Sequence, residues 1–154
     1  MNDLSEWGMR EMKNEVVHAI QDEYPDDFAW CFGCGRLNEE GYHFRTGWLG
    51  EETVTYYEPS PKHMAIPGFV YGGLIASLVD CHGTGSCALA LHRKNGFEPG
   101  SGEVPPRFVT ASLNVEEIHP KKWKVTVEVF ADETLCATGE VVGVVMPSTF
   151  AQNE

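Results

Sequence analysis

One aspartate lies in the most apolar part of the sequence. Asp80 follows the apolar run 74–79 and precedes Cys81. A carboxylate among apolar side chains is costly unless it is paired or functional. It could act in acyl transfer as a general base for water or as a nucleophile. A structural alternative stays open, in which Thr84, one turn further along, or a backbone amide satisfies the carboxylate.

Two glycines stand just ahead of the apolar run. The first amides of a helix have no intrahelical acceptors, and the helix dipole is positive there. Because Gly72 and Gly73 carry no Cβ, a carbonyl oxygen could approach these amides as in an oxyanion hole. Without Asp80 the pair would indicate only a tight turn into a helix. The sequence contains neither a G-x-S-x-G nucleophile elbow nor an H-E-x-x-H metal motif.

Hydrophobic periodicity predicts the elements that must position these groups. Helical spacing predicts an N-terminal helix over residues 3–21 and a second helix from Gly72 to about Arg93. The second helix is apolar nearly all round and is therefore expected to be buried. Strands are predicted at residues 42–48, 52–57, 107–118, 123–131 and 135–146. This order predicts an α+β fold, an antiparallel sheet wrapped around one long buried helix, with an extra N-terminal helix.

Length and charge limit the classes of protein. The 154 residues are enough for one core, and we expect an N-terminal helical extension over 1–29 and one domain over 30–150. A net charge of −12 argues against nucleic acid as a partner. The N-terminus has no signal-peptide pattern, the longest apolar stretch is too short to span a bilayer, and five cysteines suit a reducing compartment. We therefore expect a cytoplasmic protein with no membrane partner.

Three segments resemble a known family. The string PGFVYGGLIASLVDCHGTGSCALAL, residues 67–91, is similar to the signature of the PaaI-like acyl-CoA thioesterases. Residues 31–45, CFGCGRLNEEGYHFR, resemble the C-F-x-C-G lead-in of one branch of that family. Residues 107–120, RFVTASLNVEEIHP, resemble the strand that follows its central helix. The resemblance implies the hotdog fold, hydrolysis of acyl-CoA thioesters, and assembly as a homodimer or a dimer of dimers (a homotetramer).

The resemblance also implies residue roles. Asp80 matches the general base or nucleophile, Gly72 matches the oxyanion-hole glycine with Gly73 beside it, and Thr110 matches a hydroxyl residue that positions water. Tyr71 stands where the family usually has histidine, and a phenol can donate a hydrogen bond but cannot act as an imidazole. The Asn or Gln that many members carry a few residues upstream is also absent, since residues 63–65 are His-Met-Ala.

Two further groups of residues have alternative interpretations. Lys121, Lys122, Lys124 and Arg93 could contact the phosphates of CoA, or could be only a solvated turn and a helix C-terminus. Cys31-x-x-Cys34 has the spacing of half a zinc site, which His43 or His63 could complete. We favour a metal-free, knuckle-like turn, and we expect no metal and no cofactor beyond the CoA of the substrate. Cys81 and His82 are interpreted as core residues.

Three functions are compatible with this sequence. The favoured one is hydrolysis of acyl-CoA by Asp80 with the Gly72 amide as oxyanion hole. The alternative is a hotdog protein that binds acyl-CoA or another thioester without turnover, because Tyr71 replaces the histidine. A hotdog hydratase ranks last, because its His/Asp motif is not found. The sequence does not identify the acyl group.

Overall fold

The computed structural model describes residues 16–17, 19–96, 102–103 and 108–145. For residues 16–17, 102–103 and 108–114 the description covers the backbone only. The N-terminal helix predicted for residues 3–21 lies mostly outside the described residues. Its described end is not α-helical, because Val16–Val17 is a short strand and Ile20–Glu23 is a separate 3₁₀ helix. The prediction that this helix reaches Gln21 is therefore wrong.

The described strands are numbered β1 to β9 in chain order. They are β1 Val16–Val17, β2 Thr46–Leu49, β3 Glu52–Tyr57, β4 Met64–Ile66, β5 Phe69–Val70, β6 Gly102–Glu103, β7 Phe108–His119, β8 Lys122–Ala131 and β9 Thr134–Val144. Five of them form one antiparallel sheet in the order β2-β3-β7-β8-β9. Two antiparallel pairs stand apart from it, β1 with β6 and β4 with β5. The main sheet therefore has β2 and β9 as its edges.

The long helix α1, Gly72–Lys94, covers one face of this sheet. Alternate residues of a strand point to the same face, and in β8 these are Val125, Val127 and Val129, all fully buried. They join Leu74 and Leu78 of α1 in the main apolar core. The predicted α+β fold, with antiparallel strands packed on one long helix, is confirmed.

The structure corrects the expectation that α1 is buried on all sides. One stripe of the helix is exposed in the single chain, comprising Gly72, Gly73, Ala76, Asp80 and Thr84. Residues four apart lie on the same helix face, so this stripe runs along one side of the helix. Apolar composition did not reveal the stripe because most of its residues are small rather than polar.

The structure corrects the expectation that the apolar segment is too short to span a bilayer, because α1, within the described residues, is long and apolar enough by length and composition, with a mean hydropathy of 1.4 in its most apolar stretch. Half of that stretch is buried inside the fold, as in the core helix of a folded domain. We therefore interpret α1 as a core helix.

The predicted strands agree with the observed ones within a few residues, except at the start of β2. Residues 42–45 precede the strand because their backbone pairs elsewhere. The amides of Tyr42 and Phe44 donate to the carbonyls of Phe32 and Gly33, each at 2.9 Å. This pairing fixes the cysteine-containing turn of residues 31–35 against the chain that leads into the sheet.

Candidate functional site

A shallow, open cleft of about 550 Å³ lies between α1 and the edge strand β9. Its helix side is formed by Gly72, Ile75, Ala76, Val79 and Asp80, and its strand side by Ala137, Thr138, Glu140, Val141 and Val142. Most of this lining is apolar, as in sites that take an acyl chain. Gly72 and Asp80, the two residues singled out for chemistry, thus line one cleft.

The start of α1 leaves its first amides available to a ligand. Tyr71, at the N-cap position, has an extended backbone (φ −71°, ψ 143°) and makes no side-chain capping hydrogen bond. A Cβ placed on Gly72 would meet no atom within 4 Å. Among the described residues, the Gly72 amide donates to no acceptor. This geometry suits an oxyanion hole, because unpaired amides at a helix N-terminus attract negative charge.

The side chain of Asp80 is exposed in the single chain. The expectation that it is buried is therefore corrected, because only the opposite side of α1 faces the core. Within the described part of the chain, its carboxylate has no hydrogen bond or ion pair, so the proposed pairing with Thr84 is not observed. An unpaired carboxylate over an apolar cleft remains free to accept a proton from bound water.

Tyr71 is held across the helix start by other aromatic residues. Its hydroxyl and that of Tyr42 form a hydrogen bond. This bond, aided by burial, raises the pKa of Tyr42 to about 12, so that phenol stays protonated. The Tyr71 ring covers Gly73, where an added Cβ would lie 2.3 Å from the ring atom Cε2. His63 packs against Tyr42 with its ring centroid at 5.1 Å. No spacing rule in the sequence could have placed Tyr42 or His63 at the helix start.

The structure does not bring Thr110 to this cleft within one chain. Its backbone lies in β7 and pairs with Thr55 of β3 and Val129 of β8. β8 separates β7 from β9, so the two strands are about 10 Å apart. The side chain of Thr110 lies outside the described residues.

Three of the four basic residues lie toward the far end of α1, and the fourth, Lys124, reaches a residue of the cleft lining. Arg93, near the C-terminus of α1, stacks on the ring of Trp48 at 3.5 Å, and Lys124 forms a 3.3 Å ion pair with Glu140. Lys121 lies in the turn from β7 to β8, and Lys122 is the first residue of β8. Arg93 is thirteen residues from Asp80 along α1, or about 20 Å. Within one chain these residues are not in contact with the carboxylate.

His82 is a structural residue, as predicted. It is fully buried, and its Nδ1 lies 2.8 Å from the hydroxyl of Thr55. The hydroxyl of Thr55 also lies 2.8 Å from the hydroxyl of Thr46, which accepts a hydrogen bond from the Gln21 amide nitrogen at 3.2 Å. These side chains form a buried hydrogen-bond network. Burial lowers the pKa of His82 to about 3, so the imidazole is neutral at any ordinary pH.

Three cysteines converge beside Asp80. Cys81 is buried in the core, as expected, but its thiol also meets those of Cys31 and Cys34, and the three sulfur atoms lie within 4.8 Å of one another. The hydrogen bond with Cys81 lowers the pKa of Cys34 to about 7, although burial opposes this, and the same contact raises the pKa of Cys81. Sequence spacing revealed two of the three residues. It missed Cys81 because only the fold brings the helix to the turn.

Comparisons with known proteins give one informative match. Neither family models nor curated proteins match the chain. A solved structure does, described as the crystal structure of a thioesterase superfamily protein from Shewanella loihica PV-4 at 1.65 Å resolution. It is 33% identical to this chain, the alignment covers 80% of this chain and 100% of that one, and the TM-score is 0.50. An identity of this size over most of both chains shows that the protein belongs to the thioesterase superfamily.

Proposed function

We propose that this protein hydrolyses acyl-CoA thioesters to the free acid and CoA, as a member of the PaaI-like branch of its superfamily. The observation that carries the proposal is the cleft between α1 and β9. An unpaired carboxylate, Asp80, and the open helix start at Gly72 both face this apolar cleft, where a two-fold related copy can bring one to the other. A thioester needs these three features: a base or nucleophile, an oxyanion hole and a place for the acyl chain.

The proposed reaction uses water as the nucleophile. Asp80 accepts a proton from the water as the water oxygen attacks the thioester carbon, and the carbonyl oxygen becomes an oxyanion that accepts a hydrogen bond from the Gly72 amide. The tetrahedral intermediate then collapses, the carbon–sulfur bond breaks, and Asp80 returns the proton to the leaving thiolate. Direct attack by Asp80 to form a mixed anhydride, which water then hydrolyses, is the variant of this scheme.

The two groups must come from different chains. Gly72 and Asp80 are eight residues apart on one helix, about 12 Å along its axis. The Asp80 side chain leans toward the helix start and recovers only about 2–3 Å. Both groups must lie roughly 3 Å from atoms of one reacting carbonyl. Two antiparallel helices related by a two-fold axis meet this requirement twice, so we infer a homodimer with two equal sites, alone or within a dimer of dimers.

Two surface features support a second copy at this face. The exposed stripe of α1 consists mainly of glycine and alanine, with no bulky side chain to hold another helix away. Among the described strands, β9 pairs only with β8, so its other edge is open. β9 also exposes Leu135, Val142 and Val144. Open edges and exposed apolar residues are features that proteins usually cover.

The basic residues have a role consistent with this site. Arg93, Lys121 and Lys122 lie toward the far end of α1, whereas Lys124 pairs with Glu140 at the lining of the cleft. A long ligand that starts in the cleft and runs along the helix would bring its phosphates toward these basic residues. We propose this direction for the CoA moiety.

A binding protein without turnover is the second candidate. The hydrogen bond between Tyr71 and Tyr42 favours it, because the phenol at the usual histidine position is already occupied within the chain. A hydrolysis screen over acyl-CoAs of short, long and aromatic acyl groups, with colorimetric detection of the free thiol, separates the two. Turnover on any member supports the thioesterase. Saturable binding of acyl-CoA with no thiol released above the uncatalysed rate supports the binding protein.

A further inference from the structure

The cysteine-containing turn carries a chemistry that the thioesterase reaction does not use. Cys31 and Cys34 lie on the turn and Cys81 lies on α1, and the structure brings their sulfur atoms within 4.8 Å of one another. The sulfur atoms of Cys31 and Cys81 lie 3.8 Å apart. All three are free thiols. Our expectation of a metal-free turn counted only two sulfur ligands, and Cys81 supplies a third.

The turn is shaped so that the thiols can converge. A Cβ on Gly33 would lie 2.3 Å from the sulfur of Cys81, so any larger residue would push the helix thiol away. A Cβ on Gly35 would lie 2.5 Å from the carbonyl oxygen of Ala29, so a larger residue would prevent the turn from closing this tightly. The Gly35 amide donates to the carbonyl of Cys31 at 2.7 Å. The two glycines of CFGCG therefore permit a compact three-thiol arrangement.

Apolar packing alone does not explain this arrangement. Cys81 is buried and Cys34 is half-buried, but Cys31 is exposed. A thiol at the surface gains little from burial, and exposed free cysteines are prone to oxidation. Its position 3.8 Å from the sulfur of Cys81 is within hydrogen-bond distance and also suits shared coordination of one ion.

The distance between Cys31 and Cys81 matches that between two sulfur ligands of a thiolate metal centre. Zn²⁺ binds cysteine sulfur at about 2.3 Å in tetrahedral geometry, which places neighbouring ligand sulfurs roughly 3.8 Å apart. This is the distance between Cys31 and Cys81. Three protein ligands leave the fourth position of a tetrahedron open, as in zinc sites that hold a water. Because Cys31 is exposed, solvent can supply that ligand.

We propose that Cys31, Cys34 and Cys81 form a binding site for a thiophilic metal ion of the Zn²⁺ type. Three thiolates select soft or borderline ions over Mg²⁺ and Ca²⁺, which take oxygen ligands. On binding, the ion displaces the thiol protons, up to three for each M²⁺, so uptake releases acid and weakens at low pH. Through Cys81, the residue that follows Asp80, the bound ion links the cysteine-containing turn to α1. The proposal does not depend on thioesterase activity.

Metal titration of the full chain tests this proposal. The protein is reduced, stripped with a chelator and titrated with Co²⁺ without oxygen, and thiolate-to-cobalt charge-transfer absorption is recorded. We expect saturation at one equivalent, displacement of Co²⁺ by Zn²⁺, and proton release. Cys31→Ser, at an exposed position, should weaken binding by more than the roughly 10–100-fold of an outer-shell change. Cys136→Ser, at an exposed cysteine of β9 outside the cluster, is the matched control and should bind like the wild type.

Three results would overturn the site. One is the absence of saturable binding at one equivalent by reduced protein. Another is an unchanged affinity for Co²⁺ in each of the single variants Cys31→Ser and Cys81→Ser, with circular dichroism showing that both are folded. The third is a disulfide between Cys31 and Cys34 in protein purified without oxygen, followed by no metal uptake after reduction, which would make the cluster a redox pair.

Discussion

Val79 of α1 lies so close to Gly139 of β9 that a Cβ at position 139 would come within 2.7 Å of its Cγ1 atom. The same close approach recurs one helical turn later, where a Cβ on Gly83 would lie 2.4 Å from Cγ2 of Val141. Four helix residues rise about 6 Å and two strand residues about 6.6 Å. The contacts therefore repeat at nearly the same spacing along the helix and the edge strand, with a glycine opposite a larger residue at each contact.

A third contact completes the series. A Cβ on Gly143 would lie 2.5 Å from the sulfur of Cys87. The larger residue is thus on the helix in the first and third contacts and on the strand in the second. This alternation brings β9 against α1 with no further layer of side chains between them, and two of the larger residues, Val79 and Val141, line the cleft.

Gly83→Ala should destabilise the protein. Alanine favours a helix over glycine by about 0.5–1 kcal/mol, but overpacking at a contact like that with Val141 costs about 1–3 kcal/mol. We expect a net loss in the free energy of unfolding, measured by urea denaturation. Gly72→Ala is the matched control, because a Cβ there meets open space, and it should not lower stability. The double variant Gly83→Ala, Val141→Ala should recover part of the loss. Equal effects at both glycines would show that the contact is looser than described.

The sequence predicted most of the fold because its signals are local. Alternating β-branched residues in β8 and the glycine pair that begins α1 indicate the type and the boundaries of these elements from neighbouring positions alone. The exposed stripe around Asp80 was missed because glycine and alanine occur both in a buried core and on an exposed helix face, so their presence in the sequence does not distinguish the two. Cys81 was missed as a neighbour of Cys34 because their contact depends on how the turn packs on the helix. Contacts between distant segments carry no spacing signal.

Asp80→Asn should lower turnover by at least about a hundredfold, the usual scale for a lost general base. Its fold should survive, because the side chain is exposed in the single chain. The measurement is steady-state hydrolysis of the best acyl-CoA from the screen. Glu51→Gln makes the same chemical change at an exposed turn between β2 and β3, at the opposite edge of the sheet from β9, and should leave turnover unchanged. Full activity in Asp80→Asn would exclude this carboxylate as base or nucleophile.

Tyr71→His should be tolerated and should maintain or raise activity, because the position is partly exposed and histidine restores the usual family residue. Losing the hydrogen bond to Tyr42 should cost about 0.5–1.5 kcal/mol. Tyr71→Phe removes the same hydroxyl without adding an imidazole and so serves as the control for both stability and rate. If Tyr71→His unfolds while Tyr71→Phe does not, the phenol is a structural residue and the family role does not apply here.

Stability should fall on acidification below pH 6.5 because of His82. Its pKa is about 3 in the folded state and 6.5 ordinarily, so between these values the unfolded chain binds a proton that the folded chain does not. The unfolded state is then favoured by up to about 1.4 kcal/mol per pH unit. This loss is absent above pH 6.5. His82→Gln should be less stable at pH 7.5 but should show a shallower decline toward pH 4.5 in urea denaturation. An imidazole NMR signal of His82 that titrates near pH 6 in the folded protein would contradict the prediction.

Complementation between two inactive variants should show that each active site is shared. Gly72→Pro removes the proposed donor amide at the first helical position, where proline is well tolerated. The extended backbone of Tyr71 is the one that a residue before proline prefers. Asp80→Asn removes the base. Each variant alone should be nearly inactive, with a circular dichroism spectrum like that of the wild type.

Mixing the two variants by co-refolding should restore activity to roughly a quarter of the wild-type value on two-fold symmetry. Random pairing makes half of the dimers mixed. In each mixed dimer one site combines both defects, while the other takes its intact Gly72 from the Asp80→Asn chain and its intact Asp80 from the Gly72→Pro chain. Mixing two differently tagged preparations of Asp80→Asn controls for refolding and should restore nothing. If mixed dimers isolated by their two tags are folded but inactive, the site lies within one chain or uses other groups. A site that takes Gly72 from one chain and Asp80 from the other would be intact once in every mixed dimer and would therefore be active.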